Sequence, residues 1–313
     1  MSSERSQSAS RVLMIRPTAF ARDDEAAETN SFMKEPNDTL EKVQEQARRE
    51  FDRLAGALKD AGVEVLVFED DLQLPDSVFP NNWVSYHEFK AVKDAPMIIT
   101  YPMCAESRRK ERRAEILDAI ARFIHNEMDH LDLSELEDEG EFLEGTGSLV
   151  LDRTNGIGYA CLSGRTTEQA LDVWSDETGY AVVRFHAADL DGNPIYHTNV
   201  MMSIGDELAV VCMRSITDPD EYDIVETSLR QSGRALIELS LEQVAHFCGN
   251  ILQLKDASGG AVFAMSESAW KHFTPDQRTL IESKGRVVAV PIPTIEYVAG
   301  GSVRCMIAEL GNP

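Results

Sequence analysis

The spacing of apolar and polar positions along this chain marks out its elements. Residues 12–15 are a short continuous apolar run closed by Arg16-Pro17, which predicts a buried strand. Residues 18–37 show no period and carry Asp23, Asp24, Glu25 and Asn30, so they read as a loop. A loop that long inside a compact protein is often functional, and Asn30 in it is a candidate substrate contact. Residues 38–61 are helical in period: Val43, Ala47, Phe51, Leu54 and Leu58 form one apolar stripe, and Asp38 can cap its start. Gly62 stops that helix, and residues 63–68 form the next strand.

From there a unit recurs. A small or amide residue opens a strand, a polar turn follows, a second strand returns, and an amphipathic helix leads onward. Residues 82–85 pair with 96–99, 147–150 with 158–161, 199–202 with 208–211, and 250–253 with 261–264. Ser302 opens a tail strand. The openings at 147, 199, 250 and 302 fall 52, 51 and 52 residues apart. A period near fifty signals repeated supersecondary units closing about a central axis. The expected architecture is a five-unit α/β propeller, one catalytic domain over residues 11–313, with residues 1–10 a frayed, disordered end.

Composition narrows the function. The 313 residues, 43% hydrophobic, can bury a large core, and no run of about 18 apolar residues offers a membrane span. The polar start lacks the features of a signal peptide. Five scattered cysteines without a C-x-x-C pair suit a reducing cytoplasm. The histidines make no metal-binding pattern, so neither a metal nor another cofactor is expected. A formal charge of −24 repels phosphate backbones and anionic lipids, against nucleic-acid or membrane partners. A small-molecule ligand is expected, and a homo-oligomer stays open.

The tail Gly300-Gly301-Ser302-Val303-Arg304-Cys305-Met306 carries candidate chemistry. A nucleophilic cysteine needs its thiol pKa lowered, by a cation or an imidazole, and backbone open enough for a substrate carbon to approach. A terminal strand burying a small cysteine fits the same residues. If the openings share a site, Glu144 precedes the second and His197 the third, adding an orienting carboxylate and a proton shuttle. Each of these two, alone, is also an ordinary surface or hydrogen-bonded residue.

Four motifs in one order resemble a known family. Phe142-Leu143-Glu144-Gly145 is similar to its L-E-G-G, and the segment from Cys161 through Ser163, Arg165 and Thr166 to its S-x-R-T. His197-Thr198-Asn199 is similar to H-x-D, and the tail to G-G-x-R-C-M. The chain thus resembles the guanidino-group modifying enzymes of the pentein fold, arginine deiminase-like proteins of the amidinotransferase superfamily in arginine metabolism. Through Val78-Phe79-Pro80-Asn81-Asn82-Trp83 it is most similar to citrulline-utilisation hydrolases. The resemblance implies Cys305 as nucleophile, His197 as general acid and base, and Glu144 as partner of the substrate's nitrogens. It implies Arg165, and Arg108 within the basic run 108–113, as substrate-binding arginines.

The departures bear on substrate. Deiminases hold the guanidinium with two aspartates, where this chain has Asn82 and Asn199. Amides offer donor and acceptor without net charge, which suits a neutral ureido group better than a cation. The expected activity is cysteine-dependent hydrolysis of a C–N bond, citrulline to ornithine, through a covalent thioester. An arginine dihydrolase or deiminase is the enzymatic alternative, and a non-catalytic binding protein on the same fold the other.

Overall fold

The structure, a computed structural model, describes residues 6–88, 96–124 and 128–312. The apolar run near the start is β1 (Arg11–Arg16), buried at its four inner positions because it is the middle strand of its sheet. A long helix, Leu40–Asp60, crosses from it to the parallel strand β2 (Glu64–Glu69). The expected stripe Val43, Ala47, Phe51, Leu54 and Leu58 is buried there, each large side chain contributing roughly 1.5–3 kcal/mol. Four further units repeat this arrangement with an antiparallel hairpin added in front.

They are β3 (Val84–His87), β4 (Met97–Thr100) and β5 (Asp129–Asp132); then β6 (Leu149–Asp152), β7 (Ile157–Cys161) and β8 (Ala181–Phe185). Next come β9 (Met202–Ile204), β10 (Leu208–Val211) and β11 (Ala235–Glu238), and β12 (Leu252–Lys255), β13 (Ala261–Ser266) and β14 (Arg286–Val290). In every unit the first two strands are antiparallel and the last two parallel, joined through helices. The fifth unit is closed by the tail, β15 (Ala308–Glu309), antiparallel to β1. Among the described residues the strands make five three-stranded sheets, the five-unit α/β propeller the spacing predicts. The leading strands face the middle: β6 lies against β9, β9 against β12, and β15 against β3.

Four local expectations change. The hairpin strands begin two or three residues after Asn82, Gly147, Asn199 and Asn250. Asn82 and Asn199 lie in 3-10 turns (Pro80–Asn82 and Thr198–Val200), Gly147 in the helical turn Gly145–Ser148, and Asn250 directly after the turn that precedes β12. At Ser302 tight turns replace a strand, and only Ala308 and Glu309 pair. Thr39, not Asp38, holds the N-cap position of the long helix, without a side-chain capping bond, and Asp38 accepts from Lys42 Nζ at 2.6 Å. Finally, the expected fraying stops short of residues 7–10, which are buried. Gln7 Nε2 donates to the Leu151 and Ile204 carbonyls at 2.7 and 3.1 Å, and its Oε1 accepts from the Arg153 N–H. Satisfying carbonyls of two units ties this arm to the propeller. Residues 1–5 lie outside the described residues. No helix among the described residues is long and apolar enough to cross a membrane.

Candidate active site

Glu50, on the long helix, fixes the approach to Cys305. Its buried carboxylate accepts from the Thr294 N–H at 3.0 and 3.1 Å and the Ile295 N–H at 3.0 Å, capping the helix Pro293–Ala299. That helix ends at Gly300 with φ of 61°, a left-handed conformation that glycine adopts without cost. Three successive turns follow, with Cys305 N–H bonded to the Ser302 carbonyl, Met306 to Val303 and Ile307 to Arg304. They place the thiol on the axis, where the opening residues of neighbouring units meet it. Asn250 Nδ2 lies 3.2 Å from Sγ and Asn199 Nδ2 3.5 Å. Arg304 does not turn to the sulfur. Its guanidinium donates to the Ile307 carbonyl at 2.8 Å and to Glu309 at 3.0 Å, so amides rather than a cation touch the thiol.

His197 and Glu144 form the second part. Nε2 of His197 is 2.8 Å from Glu144 Oε2, which also receives Arg165 Nη1 at 3.3 Å. Glu144 Oε1 accepts from the Cys104 N–H at 3.1 Å. Burial opposes ionisation of Glu144, but Arg165, His197 and Arg108 outweigh it and hold the carboxyl well below the usual range. An ionised carboxylate only accepts, so Nε2 carries the imidazole proton and Nδ1 the lone pair. Burial lowers the His197 pKa to about 4 against the pull of Glu144, leaving the ring neutral at neutral pH. Burial likewise pushes the Cys305 thiol up, with the Ser302 backbone and Asn250 opposing it. The resting site therefore holds a protonated thiol and a neutral imidazole.

The arginines differ in what they leave free. Arg108 is fully buried, with Nε and Nη2 on Glu111 at 2.8 and 2.9 Å and Nη1 on Asn82 Oδ1 at 2.9 Å. That last bond fixes the Asn82 amide: oxygen to Arg108, nitrogen to the cavity. Asn82 Nδ2 is buried and has no hydrogen-bond partner among the described residues. Arg165 commits Nε to Thr29 Oγ1 and Nη2 to the Ala26 carbonyl, besides the bond to Glu144. Of the five N–H groups of a guanidinium, two remain for a ligand. Asn30, Asn82, Arg108, Arg165, His197 and Cys305 line one cavity of about 10 Å³, room for a single water. Glu144 and Asn199 act on it through His197, Arg165 and Cys305.

A model of the family "N,N dimethylarginine dimethylhydrolase, eukaryotic" matches residues 16–312. The chain belongs to that family. It is thus a pentein-fold hydrolase of C–N bonds other than peptide bonds. Among solved structures it resembles ArgZ, an arginine dihydrolase of the ornithine–ammonia cycle in cyanobacteria. With the substrate-bound N-terminal domain the identity is 16% and the TM-score 0.72, over 97% of this chain and 98% of that domain. The chain spans only 41% of the length of full ArgZ. The dimethylarginine dimethylhydrolase of Pseudomonas aeruginosa, complexed with citrulline, has 15% identity and a TM-score of 0.62 over 96% and 99% of the two chains. No curated protein sequence matches. At these identities the structural likeness shows the pentein fold.

In this member of the dimethylhydrolase family, three site residues escape sequence reasoning. Asn250 carries a signal, since it opens the fourth unit as Asn82 and Asn199 open others. Asp76 and Glu111 carry none, because their partner Arg108 is distant from Asp76 in sequence and shares a charged run with Glu111. Burial raises the Asp76 pKa to about 7 against the attraction of Arg108, and its Oδ1 faces no partner among the described residues. Cys104, Cys212 and Cys248 lie in turns rather than in regular strand or helix, and only Cys161 ends a strand.

Gly147 is where space decides. A Cβ there would sit 2.5 Å from Asn82 Nδ2 and 2.7 Å from His197 Nδ1. Gly147→Ala should displace both groups while the backbone accommodates alanine. Misplacement of this size costs on the order of 100-fold in kcat/KM. Unchanged kcat/KM, with unchanged circular dichroism, would remove the crowding argument.

Proposed function

We propose that this protein hydrolyses citrulline to ornithine. The observation that carries the reading is the Asn82 amide, pinned through its oxygen by Arg108 with an unpartnered Nδ2 donor left at the cavity. A guanidinium has donors only and offers that N–H nothing to bind; a ureido group offers its carbonyl oxygen. Leaving such a buried donor unmet costs about 1–3 kcal/mol, so the pocket discriminates by substrate chemistry. Family membership sets aside the non-catalytic binding protein.

The steps follow from the site's own groups. The Cys305 thiol gives its proton to the neutral His197, whose Nδ1 lone pair is available, and the thiolate attacks the ureido carbon. The oxyanion that forms draws on Asn82 Nδ2, a preorganised donor in a buried site. His197 returns the proton to the departing δ-nitrogen, releasing ornithine and leaving a carbamoyl thioester on Cys305. His197 then takes a proton from water, and hydroxide addition with loss of the thiolate gives carbamate. Glu144 holds the imidazole tautomer throughout and stabilises its charged form.

Arg165, with two free N–H groups, is assigned to the substrate α-carboxylate. A charge-assisted bond of that kind is worth roughly 1.5–3 kcal/mol, so Arg165→Ala should raise KM at least about tenfold. Because Arg165 also holds Glu144, kcat should fall with it. Agmatine, which lacks the carboxylate, should be a poor substrate; equal kcat/KM for it and the amino acid would remove this role.

One observation favours a second reading. Asp76 presents a buried, unpartnered carboxylate oxygen at the same cavity, a natural partner for a cationic guanidinium as in an arginine dihydrolase. Citrulline binds compatibly if Asp76 receives the α-ammonium instead. Mass spectrometry of products from citrulline, arginine, dimethylarginine and agmatine decides the matter. Ornithine should form with the highest kcat/KM from citrulline; a higher value for arginine or dimethylarginine overturns the assignment.

A further inference from the structure

The repeat puts an amide at the opening of three units, and two of them meet at the sulfur. Asn250 is fully buried, and both ends of its amide are fixed. Its Oδ1 accepts from the Arg304 N–H at 3.0 Å, which orients the nitrogen. Nδ2 then donates to the Asn199 carbonyl at 3.0 Å and faces Cys305 Sγ at 3.2 Å. Asn199 Nδ2 approaches the same sulfur at 3.5 Å, held from behind by the Thr146 carbonyl at 3.3 Å. A thiol is a weak donor and a weak acceptor, and gains little from two N–H groups. A thiolate gains much more, because hydrogen bonds to an ion are about twice as strong as those between neutral groups.

The other groups around the sulfur do not supply this. Arg304 is turned to Glu309 and favours a negative sulfur only through space, without touching it, and His197 is neutral and bonded to Glu144. Tyr196 donates to the Gly300 carbonyl, and Arg108 and Arg165 are paired with Glu111 and Glu144. Asp76, across the cavity, would oppose a negative sulfur.

We propose that Asn250 is a catalytic residue, which with Asn199 forms a pair of amide donors that stabilises the negatively charged sulfur of Cys305. The nucleophile is thus activated by neutral dipoles fixed before the reaction, at the cost of no extra cation in the pocket. A cationic neighbour would repel the substrate's α-ammonium, and amides avoid this. This rests on Cys305 as nucleophile and adds the group that makes it one.

Asn250→Asp separates electronics from shape. It keeps the size and the acceptor for the Arg304 N–H, and replaces the donor shared by the sulfur and the Asn199 carbonyl with an acceptor. Asn250→Ala removes both. The readout is the thiolate ultraviolet absorbance against pH, taken as the difference between each protein and the same protein carrying Cys305→Ala. The midpoint of native Cys305 should move up by about one pH unit or more in Asn250→Ala, the size of one lost hydrogen bond to an ion, and further in Asn250→Asp, whose carboxylate adds like-charge repulsion. The kcat/KM profile should shift along the pH axis with it. A residue that merely packs would lower activity at every pH and leave the midpoint in place. A native midpoint in folded Asn250→Ala therefore overturns the proposal, and if that variant does not fold, a native midpoint in Asn250→Asp does so. Turnover surviving in Cys305→Ala itself would instead overturn the nucleophile, a separate failure.

Discussion

Cys305→Ala should abolish turnover, by at least about 10⁴-fold in kcat, because a covalent route has no substitute for its nucleophile. The motive is geometric: among the five cysteines, only Cys305 lines the cavity shared with His197 and Asn82. The fold should survive. Cys305 is buried, but replacing its thiol by a hydrogen leaves a small void, costing about 1 kcal/mol. The amides and turns around it depend on the backbone and on Asn250, not on the sulfur. Cys104 is the informative control. It lies half-buried beside the site, yet its contact with Glu144 is through the backbone N–H, so Cys104→Ala should retain activity. Cys161, Cys212 and Cys248 should be equally dispensable. Acid quenching of the native enzyme with citrulline, followed by mass spectrometry, should find the carbamoyl adduct on the Cys305 peptide. Near-native turnover by a folded Cys305→Ala protein would end the nucleophile assignment.

The repeat is visible in the sequence because each unit spends a turn at the same place. Asn82, Gly147, Asn199, Asn250 and Ser302 recur since all five must bring a short side chain, or none, close to the axis. That is why the architecture, and Asn82 among the residues that line the cavity, are legible in the repeat; Arg108, Arg165 and the roles of His197 and Cys305 come from the resemblance, and Asn30 from its place in a long loop. The strand starts shift for the same reason: residues that look like strand openings by small size are held in tight turns that aim them inward. Contacts between distant segments leave no local trace. Nothing near Asp76 or Glu111 announces that both meet Arg108, and nothing in the polar serine-rich start predicts that Gln7 bonds to two units at once. The helix cap falls one residue beyond Asp38, at Thr39, a boundary set by chain geometry rather than by side-chain chemistry. Arg304 shows the limit of adjacency as a guide. It precedes the nucleophile in sequence, but its guanidinium belongs to Glu309.

Changing both Asn82 and Asn199 to aspartate should turn recognition from the ureido group towards the guanidinium. At position 82 a carboxylate keeps an acceptor for Arg108 Nη1 and replaces the unpartnered Nδ2 by an oxygen, removing the donor that a ureido carbonyl would use. At position 199 it removes a donor from Cys305 and faces the Thr146 carbonyl, 3.3 Å from the present nitrogen, with like polarity. The second change therefore carries a structural cost, and Asn82→Asp alone is the milder arm. Each new carboxylate near one cation contributes about a kcal/mol or more at an effective dielectric near 20. Asp76 already supplies part of that field, which makes the direction of the shift additive. The ratio of citrulline to arginine affinity should fall at least about tenfold in the double variant, and by a smaller factor in Asn82→Asp. Turnover is a poor probe here, because carboxylates beside the sulfur raise the thiol pKa and slow the chemistry on either substrate. Calorimetry on the Cys305→Ala background measures binding alone. If the protein with native Asn82 and Asn199 already binds arginine tenfold more tightly than citrulline, the amides do not select a ureido group, and Asp76 with an arginine dihydrolase activity takes its place.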